Sequence, residues 1–270
     1  MALFTIRSQN PLYHIRDTTL GRSLFRVQKS PAFVGLSDNY ATCVAPITVD
    51  SMRDGKHILL FGLPKTGNYW FNNLIVESLG LEFKTQVQFT HSKFRDKHRY
   101  NTNILRSACI IRDIRDMVVS LWHWLPKGPA AKDSRAPLLR TMEQFYFQWF
   151  LPIYSQHRRW GDWIEYPKTL VRTGIPIVRY EDLHDDTFGE ITRVLKWWKI
   201  EYSEQAVQDA IEKNTLQNVK KNAGTVGTYP KGHVRKGGYG GYKEVLPQVI
   251  LDDINIRFKA YIDDWGYAYY

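Results

Sequence analysis

The fold turns on His57-Ile58-Leu59-Leu60-Phe61-Gly62-Leu63-Pro64-Lys65-Thr66-Gly67-Asn68-Tyr69-Trp70. His57 to Gly62 is a short apolar run that ends in a turn residue, the pattern of a buried strand. Leu63 to Asn68 reads as a loop. Tyr69 to Leu79 follows with Trp70, Leu74 and Ile75 on one helical face. The unit is strand, loop, helix. A loop of this kind exposes backbone N–H groups at a helix N-terminus, where phosphate and sulfate bind, and Lys65 adds a full positive charge. A plain turn with a surface lysine would show the same letters. The order also differs from a Walker A loop, in which Gly-Lys is followed by Ser or Thr.

The same rhythm recurs along the chain. Ser107 to Ile111 is a second apolar run, and Asp113 to Trp124 then carries Ile114, Val118, Leu121 and Trp122 on one helical face. Ile175 to Tyr180 reads as a third strand. Helices are predicted around Leu138 to Tyr154, Phe188 to Trp198, Ser203 to Lys213 and Val249 to Tyr261. Strands alternating with helices predict an α/β fold, one P-loop-like domain over residues 1–270 with a mainly parallel central sheet flanked by helices on both faces. Residues 1–55 carry little periodicity and are assigned to the acceptor side of that domain. Pro126 to Pro137 and Asn214 to Lys243 read as long loops; the second holds seven of the 18 glycines.

Bulk composition narrows the function. Hydrophobic residues make up 43% of the 270 and charged residues 24%, ordinary values for a domain with a real core. The formal net charge is +10, which favours anionic partners. Lys and Arg are spread along the chain without a basic tail, which weakens a nucleic-acid reading. Cys43 and Cys109 are too few for a disulfide framework or a complete zinc site, as suits a reducing compartment. No apolar run approaches the ~20 residues of a membrane span, and the N-terminus shows no signal peptide. A cytoplasmic protein with no membrane or nucleic-acid partner is expected.

Two further segments carry chemistry. In Ile110-Ile111-Arg112-Asp113-Ile114-Arg115-Asp116-Met117-Val118-Val119-Ser120, Arg112 closes a strand and Ser120 lies eight residues on, about two turns into a helix. Arg forks onto phosphate and a hydroxyl adds a bond, although Arg-Asp pairs after strands are commonly ion pairs. In Val234-Arg235-Lys236-Gly237-Gly238-Tyr239-Gly240-Gly241-Tyr242-Lys243, adjacent cations sit among glycines that let backbone approach an anion closely.

Together these three segments resemble the sulfotransferases that use 3'-phosphoadenosine-5'-phosphosulfate (PAPS), particularly the cytosolic members. The family's Tyr-Pro-Lys-Ser-Gly-Thr-Thr-Trp loop is similar to Leu63 through Trp70. Its Arg and Ser eight residues apart match Arg112 and Ser120, and its Arg-Lys-Gly-x-x-Gly motif matches Arg235 to Gly240. Arg179-Tyr180-Glu181-Asp182-Leu183 looks like its Tyr-Glu-Asp segment, and Thr215 lies in a stretch like the one that approaches adenine. The resemblance spans roughly residues 55 to 245, with the motifs in family order.

The resemblance implies roles. Lys65, Thr66, Gly67 and Asn68 would hold the 5'-phosphosulfate, with Tyr69 at the helix start. Trp70 would pack against adenine, with Tyr180 and Thr215 nearby. Arg112, Ser120, Arg235, Lys236 and Gly237 would hold the 3'-phosphate. His91, after Thr90, would be the general base, a task suited to a near-neutral pKa; His123 and His98 are its fallbacks. Lys65 would stabilise the leaving phosphate. The co-substrate would be PAPS, the product 3'-phosphoadenosine-5'-phosphate (PAP), and no metal is expected. The acceptor would be a small-molecule hydroxyl or amine, of undecided identity. The chain departs from the family at Asn68 and Tyr69, which replace Thr-Thr, and at Phe89, where many members have Lys. The usual KxxxTVxxxE dimer motif is absent, so monomer or homodimer stays open. Trp122, Trp124, Phe145, Tyr146, Phe147 and Trp149 are candidates for an acceptor pocket, though most sit at core spacing. The competing readings are a P-loop kinase, which requires ATP and Mg²⁺, a basic nucleotide- or nucleic-acid-binding module without turnover, and a PAPS-binding fold without catalysis.

Overall fold

A computed structural model describes residues 56–91, 101, 103–124, 139–154, 167, 170–171, 174–222 and 237–269. Its centre is a parallel sheet of four strands in the order β2-β1-β3-β4. The strands are β1 (His57–Phe61), β2 (Val87–Thr90), β3 (Ile104–Ile111) and β4 (Ile177–Arg179). Leu60 lies opposite Phe89 on one side and Ala108 on the other, and Ile110 lies opposite Val178.

Alternation along the strands sends side chains into two separate cores. Ile58, Leu60, Ala108, Ile110 and Val178 pack with helices α1 (Asn68–Leu79), α4 (Thr187–Trp198) and α5 (Glu204–Lys213). Leu59, Phe61, Cys109 and Ile111 pack with α2 (Ile114–Trp124), the 142–154 segment, α7 (Gln248–Arg257) and α8 (Lys259–Asp264). A parallel sheet covered on both faces must have strands that are apolar throughout, which is why HILLF and ACII are continuous runs. Each fully buried Leu or Ile contributes about 1.5–3 kcal/mol. Burial also pushes the Cys109 thiol well above its ordinary pKa.

The α/β architecture is as expected, with four local differences. Strand β2 was not announced: Val-Gln-Phe-Thr has only one fully buried residue, Val87. The third expected strand stops at Arg179, and Tyr180 opens the short helix α3 (Tyr180–Asp185). The long loop expected from Asn214 contains helix α6 (Leu216–Asn222) and a 3-10 turn at Gly241–Glu244. The expected helix from Val249 to Tyr261 is two helices, broken at Phe258.

Capping explains where helices begin. Asp186 accepts the Gly189 N–H at 2.8 Å at the start of α4, and Ser203 accepts the Ala206 N–H at the start of α5. Thr141 and Gln144 form a capping box ahead of a π-helix at Phe145–Phe150. Phe145, Tyr146, Trp149 and Phe150 are buried in the core, whereas Trp122 and Trp124 are half-buried and Phe147 is exposed. Four of the six aromatic candidates for the acceptor side are therefore either core residues or, at Phe147, surface; the two half-buried tryptophans lie on α2. Among the described residues no helix is long and apolar enough to cross a membrane, and no three metal-ligating side chains cluster. Residues 1–55, His98 and Pro126 to Pro137 lie outside the described residues.

Candidate active site

All four strands are parallel, so their carboxyl ends share one edge, and in such sheets ligands bind at that edge. Here β1 runs into the Gly62–Gly67 loop, β2 ends just before His91, β3 ends just before Arg112, and β4 ends just before Tyr180.

The loop after β1 is braced from within. Thr66 Oγ1 donates to the Leu63 carbonyl at 2.8 Å, and Asn68 Nδ2 donates to the same carbonyl at 2.7 Å and to Thr66 Oγ1 at 3.0 Å. Both side chains are turned inward, Thr66 being 1% and Asn68 5% exposed. Glycine is required at two points. A Cβ on Gly62 would lie 2.5 Å from the Ile110 carbonyl, and Gly67 has φ +97° with a would-be Cβ 2.6 Å from the Tyr180 ring. Lys65 adopts φ +70° without that freedom, a conformation that costs a non-glycine residue roughly 1–2 kcal/mol.

Lys65 is the charged centre of this loop. Its Nζ lies 5.8 Å from the centroid of the Trp124 ring. Burial, and then the nearby Arg112 guanidinium, lower its pKa from 10.5 to about 8.

Arg112 joins the loop to the glycine-rich segment. Its Nη1 donates to the Lys65 carbonyl at 3.2 Å and its Nη2 to the Gly238 carbonyl at 2.8 Å, while the guanidinium lies 4.2 Å from the Tyr180 ring centroid. Behind it, the buried Asp113 carboxylate takes both Nε and Nη2 of Arg115, and the Asp113 N–H donates to Glu181 Oε1 at 3.0 Å. The Arg112 carbonyl accepts Tyr261 Oη at 3.0 Å, which ties α8 to the same corner.

These groups surround a cavity of about 480 Å³. Of the residues singled out from the sequence, Lys65, Gly67, Tyr69, Trp70, Arg112, Ser120, Tyr180, Thr215 and Gly237 line it. Thr66 and Asn68 do not present side chains to it, and Arg235 and Lys236 lie outside the described residues. The wall beside Trp70 is aromatic: the Trp70 and Tyr180 rings meet at 5.7 Å, and the His184 ring lies 6.4 Å from Trp70.

Asp116, His184 and Tyr239 also line the cavity and were not singled out in advance. A signal for Asp116 existed. It falls midway between Arg112 and Ser120, four residues from each, and shares a face of α2 with Ser120. Its carboxylate accepts the Gly240 N–H at 2.6 Å, and burial raises its pKa against the opposing pull of Arg112.

His91 is half-buried at the end of β2, and its Nδ1 lies 2.9 Å from the Gly62 carbonyl. A carbonyl only accepts, so Nδ1 carries the proton and Nε2 of the neutral ring keeps a lone pair. His123, a fallback for the base, is exposed on α2.

Comparison with known proteins shows the family and the fold. The sulfotransferase domain family matches residues 101–266. The chain belongs to the sulfotransferase family. The matched span includes Arg112, Ser120, Tyr180 and the glycine-rich segment, while the Lys65 loop and His91 precede it. No curated protein sequence matches the chain. Among solved structures, mouse sulfotransferase SULT7A1 complexed with PAP has a TM-score of 0.58 at 13% identity, over 90% of this chain and 92% of its own. Retinol dehydratase in complex with androsterone and inactive cofactor PAP has a TM-score of 0.58 at 12% identity, over 87% and 86%. The same enzyme in a complex with retinol and PAP has a TM-score of 0.57 at 13% identity, again over 87% and 86%. The solved structures share the fold of this sulfotransferase, and its family sets it apart from the ATP-dependent kinases considered above.

Proposed function

We propose that this sulfotransferase transfers a sulfuryl group from PAPS to the hydroxyl or amine of a small-molecule acceptor, in the cytoplasm and without a metal. The observation that carries this reading is convergence: Lys65, Arg112, Ser120, Tyr180, Thr215 and Gly237 come from segments up to 172 residues apart and line one cavity. A 3'-phosphate beside Arg112 and Ser120, and a base against Trp70 and Tyr180, suit the charge and the aromatic wall found there. That the structural neighbours were crystallised with PAP supports the same donor.

The residues divide the work. Lys65 and the N–H groups at the start of α1 hold the phosphosulfate. Thr66 and Asn68 act through their backbone, because their side chains are spent on Leu63. Arg235 and Lys236, immediately before Gly237, add charge for the 3'-phosphate. His91 Nε2 takes the proton of the acceptor as the acceptor oxygen or nitrogen bonds to sulfur. The bond from sulfur to the bridging oxygen breaks, and Lys65 offsets the charge left on the departing phosphate. Positioning and electrostatics supply the catalysis, as in phosphoryl transfer.

The test is thermal unfolding with PAP, with AMP and with ATP plus Mg²⁺, followed by turnover of His91→Ala. PAP at 100 times its dissociation constant is expected to stabilise the fold by about 2.7 kcal/mol. AMP is expected to do much less. His91→Ala is expected to bind PAP and turn nothing over. Equal stabilisation by ATP with Mg²⁺, or retained turnover in the variant, overturns the reading.

A further inference from the structure

The segment Gly237–Gly241 is held at the cavity rim by four hydrogen bonds to three different parts of the fold. Tyr180 Oη donates to the Gly237 carbonyl at 3.0 Å, Arg112 Nη2 donates to the Gly238 carbonyl at 2.8 Å, and the Gly240 N–H donates to Asp116 at 2.6 Å. These three bonds use residues that face the nucleotide site itself. In the fourth, Tyr239 borders the cavity but its partner does not. Tyr239 Oη donates to Asp185 Oδ2 at 2.6 Å, at the last residue of α3.

The fourth bond joins two exposed groups. The Tyr239 residue is 42% exposed, and the side chain of Asp185 is 59% exposed. Packing therefore does little to fix the ring. Four of the five residues in the segment are glycines, which have the most conformational freedom to lose. Gly238 and Gly241 have open space where a Cβ would stand, so room alone does not demand glycine there. A chain this free takes its position from its few specific contacts.

The clasp is buttressed. His184 Nδ1 lies 3.2 Å from the other carboxylate oxygen of Asp185, and its ring meets Tyr239 edge to face at 5.2 Å and 88°. His184 also contacts Trp70 and Tyr180, so Tyr239 becomes the outer member of the aromatic wall of the cavity.

We infer that Tyr239 is a positioning residue of the nucleotide site, clasped by Asp185 and His184 so that Gly237–Gly241 stays over the cavity and slows nucleotide departure. The inference rests on the PAPS reading above. It assigns residence time to a side-chain pair that need not touch phosphate or the reacting atoms. In the reaction cycle this places the clasp at product release, a step that limits many enzymes.

The experiment is the dissociation rate of PAP from the full chain, measured by chase for wild type, Tyr239→Phe, Asp185→Ala and the double variant. A hydrogen bond to a carboxylate at an exposed site predicts dissociation roughly fivefold faster in each single variant. Association should change less than twofold. The double variant should be no faster than either single one, because both remove the same bond. The KM for PAPS should rise while kcat is kept or increased, a split that general destabilisation would not produce. Unchanged dissociation in either single variant, or additive effects in the double variant, overturns the clasp. Wild type that fails to bind PAP overturns the donor reading and the clasp with it.

Discussion

Tyr69 and Phe89 meet edge to face, with ring centroids 5.0 Å apart and planes at 66°. Tyr69 stands where the related loop carries the second Thr, and Phe89 stands where many relatives carry Lys. Two departures, twenty residues apart in sequence, are therefore one change in space. Where the resembled pattern has a threonine and a lysine, this chain has an aromatic pair. Phe83 stacks on Phe89 at 6.2 Å, and Phe89 in turn meets the His91 ring at 5.5 Å. The aromatic group thus reaches from the start of α1 to the proposed base.

A double-mutant cycle of Tyr69→Ala and Phe89→Ala is expected to give a coupling of about 0.5–1.5 kcal/mol in urea unfolding. Phe89→Lys alone is expected to destabilise rather than restore the family pattern, because the ammonium would stand between Tyr69 and Phe83. Additive single losses would show that the rings touch without supporting each other.

Lys65 makes the fold weaker than it need be. Its pKa is 10.5 unfolded and about 8 folded. Below pH 8 both states are charged and the folded state bears the full burial cost. Between pH 8 and 10.5 the unfolded state holds the extra proton, so stability rises with pH. Lys65→Met, which keeps the stem, is expected to unfold at a higher temperature than wild type at pH 7, with the gap closing toward pH 10.5. PAP binding should show the opposite trend. Its affinity should fall above pH 8, by at most about tenfold per unit for one proton taken up, and the variant should lack that slope. Calorimetry across pH 7 to 10 measures both.

Legibility followed physical locality. The apolar strands β1 and β3 announce themselves because both faces of the sheet are covered. Strand β2 does not, since three of its four residues are only half-buried. Helix α6 was hidden because only Val219 is buried in it. The π-helix depends on bonds that no apolar spacing encodes. In the site, Lys65, Arg112 and Ser120 lie within short motifs and could be found by eye. His184 and Tyr239 could not, because their pairing needs α3 and the glycine-rich segment brought together across 55 residues. Thr66 and Asn68 show the converse: the motif singled them out, yet their side chains serve the loop.

The ion pair beneath Arg112 carries a second stability prediction. Arg115 is fully buried, pairs with Asp113 at 2.6 Å, and lies 4.6 Å from the Tyr242 ring centroid. Asp113→Asn keeps the shape but leaves a buried guanidinium without its counter-charge. A loss of about 3–5 kcal/mol in urea unfolding is expected. Asp113→Leu with Arg115→Met removes both charges and should cost less than the single change. PAP affinity should fall in Asp113→Asn as well, since Asp113 adjoins Arg112 and its N–H is fixed by Glu181.

Gly67 and Gly80 separate backbone strain from crowding at the site. Both have positive φ, +97° and +60°. A Cβ on Gly80 meets nothing within 4 Å, whereas one on Gly67 would lie 2.6 Å from Tyr180 Cδ2 and 3.4 Å from Ile110 Cδ1. Gly80→Ala is therefore expected to cost only the left-handed backbone term, about 1–2 kcal/mol, and to leave PAP binding intact. Gly67→Ala adds a displaced ring and should cost about 2–5 kcal/mol in total. Moving Tyr180 also breaks its bond to the Gly237 carbonyl and disturbs its contacts with Arg112 and Trp70. PAP dissociation should quicken in Gly67→Ala and not in Gly80→Ala. Equal effects on dissociation would mean that the loop tolerates the methyl group and that Tyr180 is not what holds the glycine-rich segment in place.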